Sequence, residues 1–482
     1  MVKALGFAML PFYTHYLTPR DYGTLEILDL SMSLFAMVLN MGLTAAFLRS
    51  YAGAPTAEEK RAVVSTGCVF GLVTGVVTLL AGLPFVPPVS GLLFGSSTPA
   101  LYLLLSFSAI VVNYVASFPR AYLRALDKSG TFTIVDTIAI FLLLTLNILF
   151  IAILHIGIAG VLWSSLIVAV LQCVGLGAWA FGKAGIHFRK QHMSSMLGFG
   201  LPLISSNLGL FVLNFSDRFF LKHFWSLDVV GIYAVGYKFG YMMNFLFVQP
   251  FFIMWQTRMY AIHAHADHPK IFREMFALYT LGLLLAGLAM SLFSPETVRL
   301  MVEARFAASQ YVIPVVVLAY MWYGLGYYAQ LGMYLKDRTS LVGVIGAVAA
   351  GVNLVLNYVL IRAYGMMGAA WATFLSFAFI AVVSYVCSQR VMRIPLGVGR
   401  MFGAMLLAVS LYVMCRAFTP ATVELAIILK LAALASFVLV VWKTGLLPAN
   451  VSTSINTMTA QAVGRMAKFC GAVSGGSANA AD

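Results

Sequence analysis

Apolar runs broken by short polar or charged clusters fill this chain as far as about Pro448. Fourteen helices are predicted, at approximately 2–17, 25–47, 62–85, 100–119, 131–154, 157–181, 196–221, 229–254, 273–294, 309–333, 340–361, 366–387, 399–417 and 424–443. Most approach the roughly 20 apolar residues a helix needs to cross about 30 Å of hydrocarbon. The first, "MVKALGFAMLPFYTHYL", is of near-minimum length and lacks the small-residue cleavage site that ends a secretory leader, so it reads as a span. After Pro448 the chain turns polar and ends "GAVSGGSANAAD", which predicts a flexible tail with a short interfacial helix around Gln461–Cys470.

Composition sharpens the picture. The 482 residues are 61% hydrophobic and 10% charged, against about 45–50% and 25% in soluble domains. The fold class is therefore an all-α polytopic membrane protein. The five cysteines (Cys68, Cys173, Cys387, Cys415 and Cys470) show neither metal-ligand nor paired disulfide spacing and read as small core residues. "GLGYYA" at 324–329 has nucleotide-loop glycine spacing but no strand before it, and no Walker motif occurs, so nothing points to ATP hydrolysis.

Charge fixes an orientation. With both ends inside, 21 of the 30 lysines and arginines fall on inner segments and seven on outer ones, with Lys238 and Lys430 inside spans. That bias is a positive-inside pattern with cytoplasmic termini. The formal charge of +14 then lies against anionic headgroups and needs no nucleic-acid partner. The longest outer loops, near 86–99 and 295–308, are about fourteen residues each. A membrane glycan polymerase or ligase is expected to carry a larger catalytic loop there.

The chain also repeats itself. "YLRALDKSGTFTIVDTIAIFLLLTLNILFIAILHIGIAGVLWSSL" (122–166) matches "YLKDRTSLVGVIGAVAAGVNLVLNYVLIRAYGMMGAAWATFL" (334–375). Asp127 to Asn147 and Asp337 to Asn357 have equal separation, and Gly157/Gly160 then parallel Gly365/Gly368. "YLTPRDYG" (16–23) likewise parallels "HFWSLDVVG" (223–231). A shift containing six helices leaves both copies facing the same way, an arrangement found among transporters. The expected organisation is two pseudo-symmetric six-helix lobes, 1–181 and 196–388. A cytoplasmic linker at 182–195 joins them, two additional spans lie within 389–447, and a tail occupies 448–482.

"LPFYTHYLTPRDYGTLEILDL", "NMGLTAAFLRSYA" and "SDRFFLKHFWSLDVVGIYAVGYKFG" resemble segments of the bacterial polysaccharide (O-antigen-type) flippases over roughly residues 1–440. The resemblance implies the fold of the MATE-like multidrug/oligosaccharidyl-lipid/polysaccharide exporters. It also implies movement of undecaprenyl-pyrophosphate-linked oligosaccharide across the inner membrane, with coupling to a H+ or Na+ gradient. A glycan polymerase or glycosyltransferase would be a functional partner, and no enzyme activity, metal or other cofactor is expected.

Intramembrane charges mark the candidate site, because a charge at mid-membrane costs on the order of 2.5–3.5 kcal/mol even on lenient scales. Glu26, Asp29, Ser33 and Asn40 share a helical face. Glu26, Asp29 and Asp217 are the coupling-ion candidates. The alternative for the first two is an interfacial pair, since Asp29 lies six residues past Gly23, about 9 Å along a helix. Asn207, Asn214 and Arg218 share a face of the next charged span, and Tyr237, Lys238, Tyr241 and Asn244 cluster on the one after it. Cations with tyrosines and amides suit a pyrophosphate joined to a sugar. For Arg218 the alternatives are a local pair with Asp217 or snorkelling to the outer interface. Asn147 and Asn357 are expected to make interhelical hydrogen bonds. The leading reading is a flippase; the alternatives are a MATE-type multidrug exporter and, from another class, a membrane glycan polymerase or ligase.

Overall fold

The computed structural model describes residues 7, 9–95, 99–126, 129–200, 203–418 and 422–447, with only the backbone described at 129, 199–200, 203–208 and 210. The expected tail at 448–482 lies outside the described residues. The described chain is helical throughout and contains no strand.

Among the described residues, ten helices are long and apolar enough to cross a membrane. One of them, Thr339–Val391, contains two expected spans joined at a kink, so the ten cover eleven of the fourteen runs. The first run is only partly described. The two remaining runs form the Leu203–Phe224 and Leu227–Met243 helices. These hold Asp217, Arg218 and Lys222, and Asp228 and Lys238, respectively, so their mean hydropathy falls while their helicity does not.

Packing divides the chain into two compact units. One comprises Met1–Lys238, Thr297–Val312 and Gly343–Ser376; the other comprises Phe239–Glu296, Ile313–Val342 and Phe377–Asp482. Segments from the second copy of the sequence repeat thus pack within the first unit.

In that first unit the Pro19–Asn40 helix begins with a capping box. Thr18 Oγ1 accepts from Asp21 N at 3.1 Å, and Asp21 Oδ2 accepts from Thr18 N at 3.0 Å, with Pro19 in the first turn. It ends where Met41 (φ 45°) and Gly42 (φ 66°) turn left-handed and a new helix, Leu43–Gly53, sets off. Phe47, Phe118 and Tyr114 pack edge to face behind it in a fully buried core.

The repeat is also visible in backbone detail. Asn147 immediately precedes a π-helical segment, Ile148–Ile153, and Asn357 begins another, Asn357–Ile361. Each is followed by a glycine in the same conformation, Gly157 (φ 63°, ψ −135°) and Gly365 (φ 56°, ψ −131°), where an L side chain would be strained. Both asparagines make interhelical bonds. Asn147 Nδ2 donates to Tyr13 Oη at 3.0 Å. Asn357 Nδ2 donates to Ser216 Oγ at 3.1 Å and to Asn353 Oδ1 at 2.9 Å, in a buried network that continues to Ser376.

The second unit is built on stacked aromatic rings. Phe251 lies 3.8 Å from Tyr279, and Tyr328 lies 4.9 Å from Trp255 and donates to Phe272 O at 2.7 Å. The two additional helices, Val398–Ala417 and Val423–Lys443, attach here. A Lys430–Glu296 ion pair of 2.5 Å ties the last of them down.

Candidate functional site

The charged groups of the site, all within the first unit, come from three helices. Pro19–Asn40 supplies Tyr22 and Glu26, four residues apart on one face; Leu203–Phe224 supplies Asp217 and Arg218; Leu227–Met243 supplies Tyr233, Tyr237 and Lys238.

Arg218 is enclosed, its side chain only 2% exposed. Asp217 Oδ1 accepts from its Nη1 at 2.7 Å and from its backbone N at 2.9 Å. Nη1 also donates to Asn214 O, one turn back, at 2.8 Å. The guanidinium lies 3.8 Å from the centre of the Tyr237 ring, a cation–π contact made stronger by the exclusion of water. Asp217 uses its other oxygen as well: Oδ2 accepts from Tyr233 Oη at 2.5 Å. The local pair expected as an alternative for Arg218 is therefore formed, and snorkelling is not. Breaking such a pair strands a buried charge, which costs about 3–5 kcal/mol.

Lys238 differs. Its side chain is 42% exposed. Nζ donates to Tyr22 Oη at 2.7 Å and lies 4.7 Å from that ring's centre. The Tyr22 ring in turn stands edge-on to Phe306. Glu26 sits between the two cations, with Oε2 3.4 Å from Lys238 Nζ and Oε1 3.7 Å from Arg218 Nε.

The remaining expected residues divide. Asp29 and Ser33, further along the Glu26 face, are exposed. Tyr241 and Asn244 belong to the second unit, where Tyr241 packs edge-on against Tyr320 and Asn244 is buried. The side chain of Asn207 lies outside the described residues. Sequence reasoning missed Tyr22 and Tyr233, although Tyr22 stands in the quoted "YLTPRDYG" one helical turn before Glu26. Among the described residues no group of three or more His, Cys, Asp or Glu could hold a metal ion.

The arrangement is a membrane-embedded polyionic site in which one cation is sealed by its own acid and the other stays accessible. It can hold an anion at Lys238, backed by hydroxyls and aromatic faces.

A family model for polysaccharide biosynthesis proteins matches residues 1–252, just over half the chain. The chain belongs to that family. Of solved structures, the lipid II flippase MurJ in its inward closed conformation matches with a TM-score of 0.74 at 12% identity, over 92% of this chain and 97% of that one. An inward-facing multidrug resistance MATE family transporter of the MOP superfamily matches at 0.61 and 14%, covering 81% and 94%. A mutant of the Vibrio cholerae MATE transporter VcmN matches at 0.52 and 16%, covering 82% and 98%. At these identities the likeness is one of fold. None of the curated proteins matches the chain by sequence.

Proposed function

We propose that this family member is a flippase carrying undecaprenyl-pyrophosphate-linked oligosaccharide from the inner to the outer leaflet of the bacterial cytoplasmic membrane. The observation that carries the reading is Lys238, a half-exposed cation within a span, held by Tyr22 and Glu26. An accessible positive charge at that depth concentrates an anionic headgroup. Family membership supports a saccharide cargo, and the fold shared with transporters supports alternating access between lobes at 1–181 and 196–388. The linker at 182–195 and both termini would be cytoplasmic, the two additional spans within 389–447 would flank the second lobe, and the polyprenyl chain would stay in lipid. Asp29, exposed on the Glu26 face, is the favoured coupling group for H+ or Na+.

Deleting the protein should cause a lipid-linked glycan to accumulate on the cytoplasmic leaflet, and restoring the wild-type chain should clear it. No accumulation, together with export of cationic dyes that Asp29→Asn abolishes, would favour a multidrug exporter instead.

A further inference from the structure

The two carboxylates of the site are held in different ways, and the difference matters. Asp217 is committed: both its oxygens take short charge-assisted hydrogen bonds, at 2.7 and 2.5 Å, from Arg218 and Tyr233. Glu26 is loosely held. Its contacts of 3.4 Å to Lys238 and 3.7 Å to Arg218 exceed the 2.7–2.9 Å of a strong N–H to carboxylate bond. A singly charged group thus straddles two cations with one oxygen toward each, as a phosphate would. It is 12% exposed, beside a lysine that is 42% exposed. Arg218 and Lys238 are balanced by Asp217 and Glu26, so these four groups carry no net charge among themselves.

We infer that Glu26 is a built-in competitor for the ligand's phosphate: it neutralises Lys238 in the empty site, and an anionic headgroup must displace it to bind. The inference deepens the proposed function and rests on it. Because the carboxylate never leaves its helix, it waits beside Lys238 at high effective concentration and retakes the lysine when the ligand lets go. A weakly charged ligand would not displace it, so Glu26 sets the minimum charge a cargo must carry. It also shortens the residence of any cargo bound. Glu26 is then a specificity and release residue of the anion site rather than only a structural counter-ion.

The test measures binding of inorganic pyrophosphate to the purified full-length chain in nanodiscs by calorimetry, at constant ionic strength. Glu26→Gln keeps the shape and removes the charge, and should bind about three- to tenfold tighter, since an ion pair of this exposure is worth on the order of 1 kcal/mol. Asp29→Asn removes an equal charge a turn away and should tighten binding by less, which separates displacement from a change in overall field. In a Lys238→Ala background, Glu26→Gln should give no gain. Should Glu26→Gln fail to fold, Glu26→Asp withdraws the carboxylate by one methylene and should move affinity in the same direction by less. A counter-ion needed only for structure predicts the opposite sign, because its loss would disorder Lys238. If wild type binds pyrophosphate and Glu26→Gln (or Glu26→Asp in its place) binds no better, the competitor role is overturned while the anion site stands. If neither wild type nor any variant binds pyrophosphate, the anion site itself falls, and the inference with it.

Discussion

Gly23 and Gly231 pack backbone to backbone. A methyl group on Gly23 would strike the carbonyl of Leu227 and lie 3.0 Å from Gly231 N; one on Gly231 would strike the carbonyl of Pro19 and lie 3.0 Å from Gly23 N. The reciprocity follows from the duplication, since Pro19 and Gly23 in "YLTPRDYG" correspond to Leu227 and Gly231 in "HFWSLDVVG". The helices that carry Glu26 and Lys238 therefore cross at equivalent points, with no side chain between them. That crossing brings Tyr22 within reach of Lys238.

Backbone atoms cannot rotate away, so Gly23→Ala and Gly231→Ala should each cost about 1–3 kcal/mol by overpacking. The thermal midpoint of the purified protein should drop for both. Gly53→Ala, which meets nothing within 4 Å, is the control and should leave the midpoint unchanged. An unchanged midpoint in Gly231→Ala would mean the crossing is not a tight contact.

On the proposed function, in which Lys238 meets the anionic headgroup, its variants should respond in graded order. Lys238→Ala removes a charge-assisted contact worth about 1.5–3 kcal/mol, so transport should fall about ten- to a hundredfold while membrane abundance holds. Lys238→Glu should be worse, because it repels phosphate and sits beside Glu26. Lys238→Arg keeps the charge but changes the geometry, and should retain part of the activity. Export and abundance are measured together: abundance falling in step with export would mark a structural lysine, and full export in all three a bystander.

An exposed pair on a segment read as outer gives a pH signature. His15 Nδ1 lies 2.7 Å from Glu303 Oε1, and Arg305 donates to Thr14 O at 2.9 Å and to His15 O at 2.5 Å. The hydrogen bond to His15 holds the Glu303 carboxyl below its ordinary range against the opposing effect of desolvation, helped by the charges of His15 and Arg305. A carboxyl whose folded value is depressed stabilises the fold above its unfolded value, and that contribution is lost as pH falls through the depressed value. Glu303→Gln should therefore melt below wild type at pH 7, with the gap closing progressively below about pH 4.3. In a His15→Ala background the gap should be smaller at every pH. A gap that widens in acid would refute the assignment.

Orientation is checked by labelling single cysteines in a chain freed of its own five. Glu424 and His265 are both exposed, and the charge bias puts them on opposite sides. A membrane-impermeant maleimide applied to intact cells should label Glu424→Cys and spare His265→Cys until the membrane is opened. Labelling of both from outside would overturn the topology.

The sequence by itself determined the solvent, the helical class, the duplication and the residue types of the site. Apolar runs of span length leave few other structures in a bilayer, because each backbone polar group must be satisfied inside its own helix. The repeat carried even local backbone detail, with Asn147 and Asn357 marking π-helical segments and Gly157 and Gly365 the turns after them. Helical period also put Glu26 and Asp29 on one face. It could not say what that face meets, since periodicity fixes relations within a helix and not between helices. Only the tertiary structure decided that Glu26 lies between Arg218 and Lys238, that Asp217 and Tyr237 enclose Arg218 while Lys238 stays accessible, and that Tyr22 orients Lys238 across 216 residues of chain. The contacts of Lys238 with Tyr22 and Glu26 rest on backbone approach at Gly23 and Gly231. Any apolar helix face would have packed there, but only two glycines let the helices come close enough for those side chains to meet.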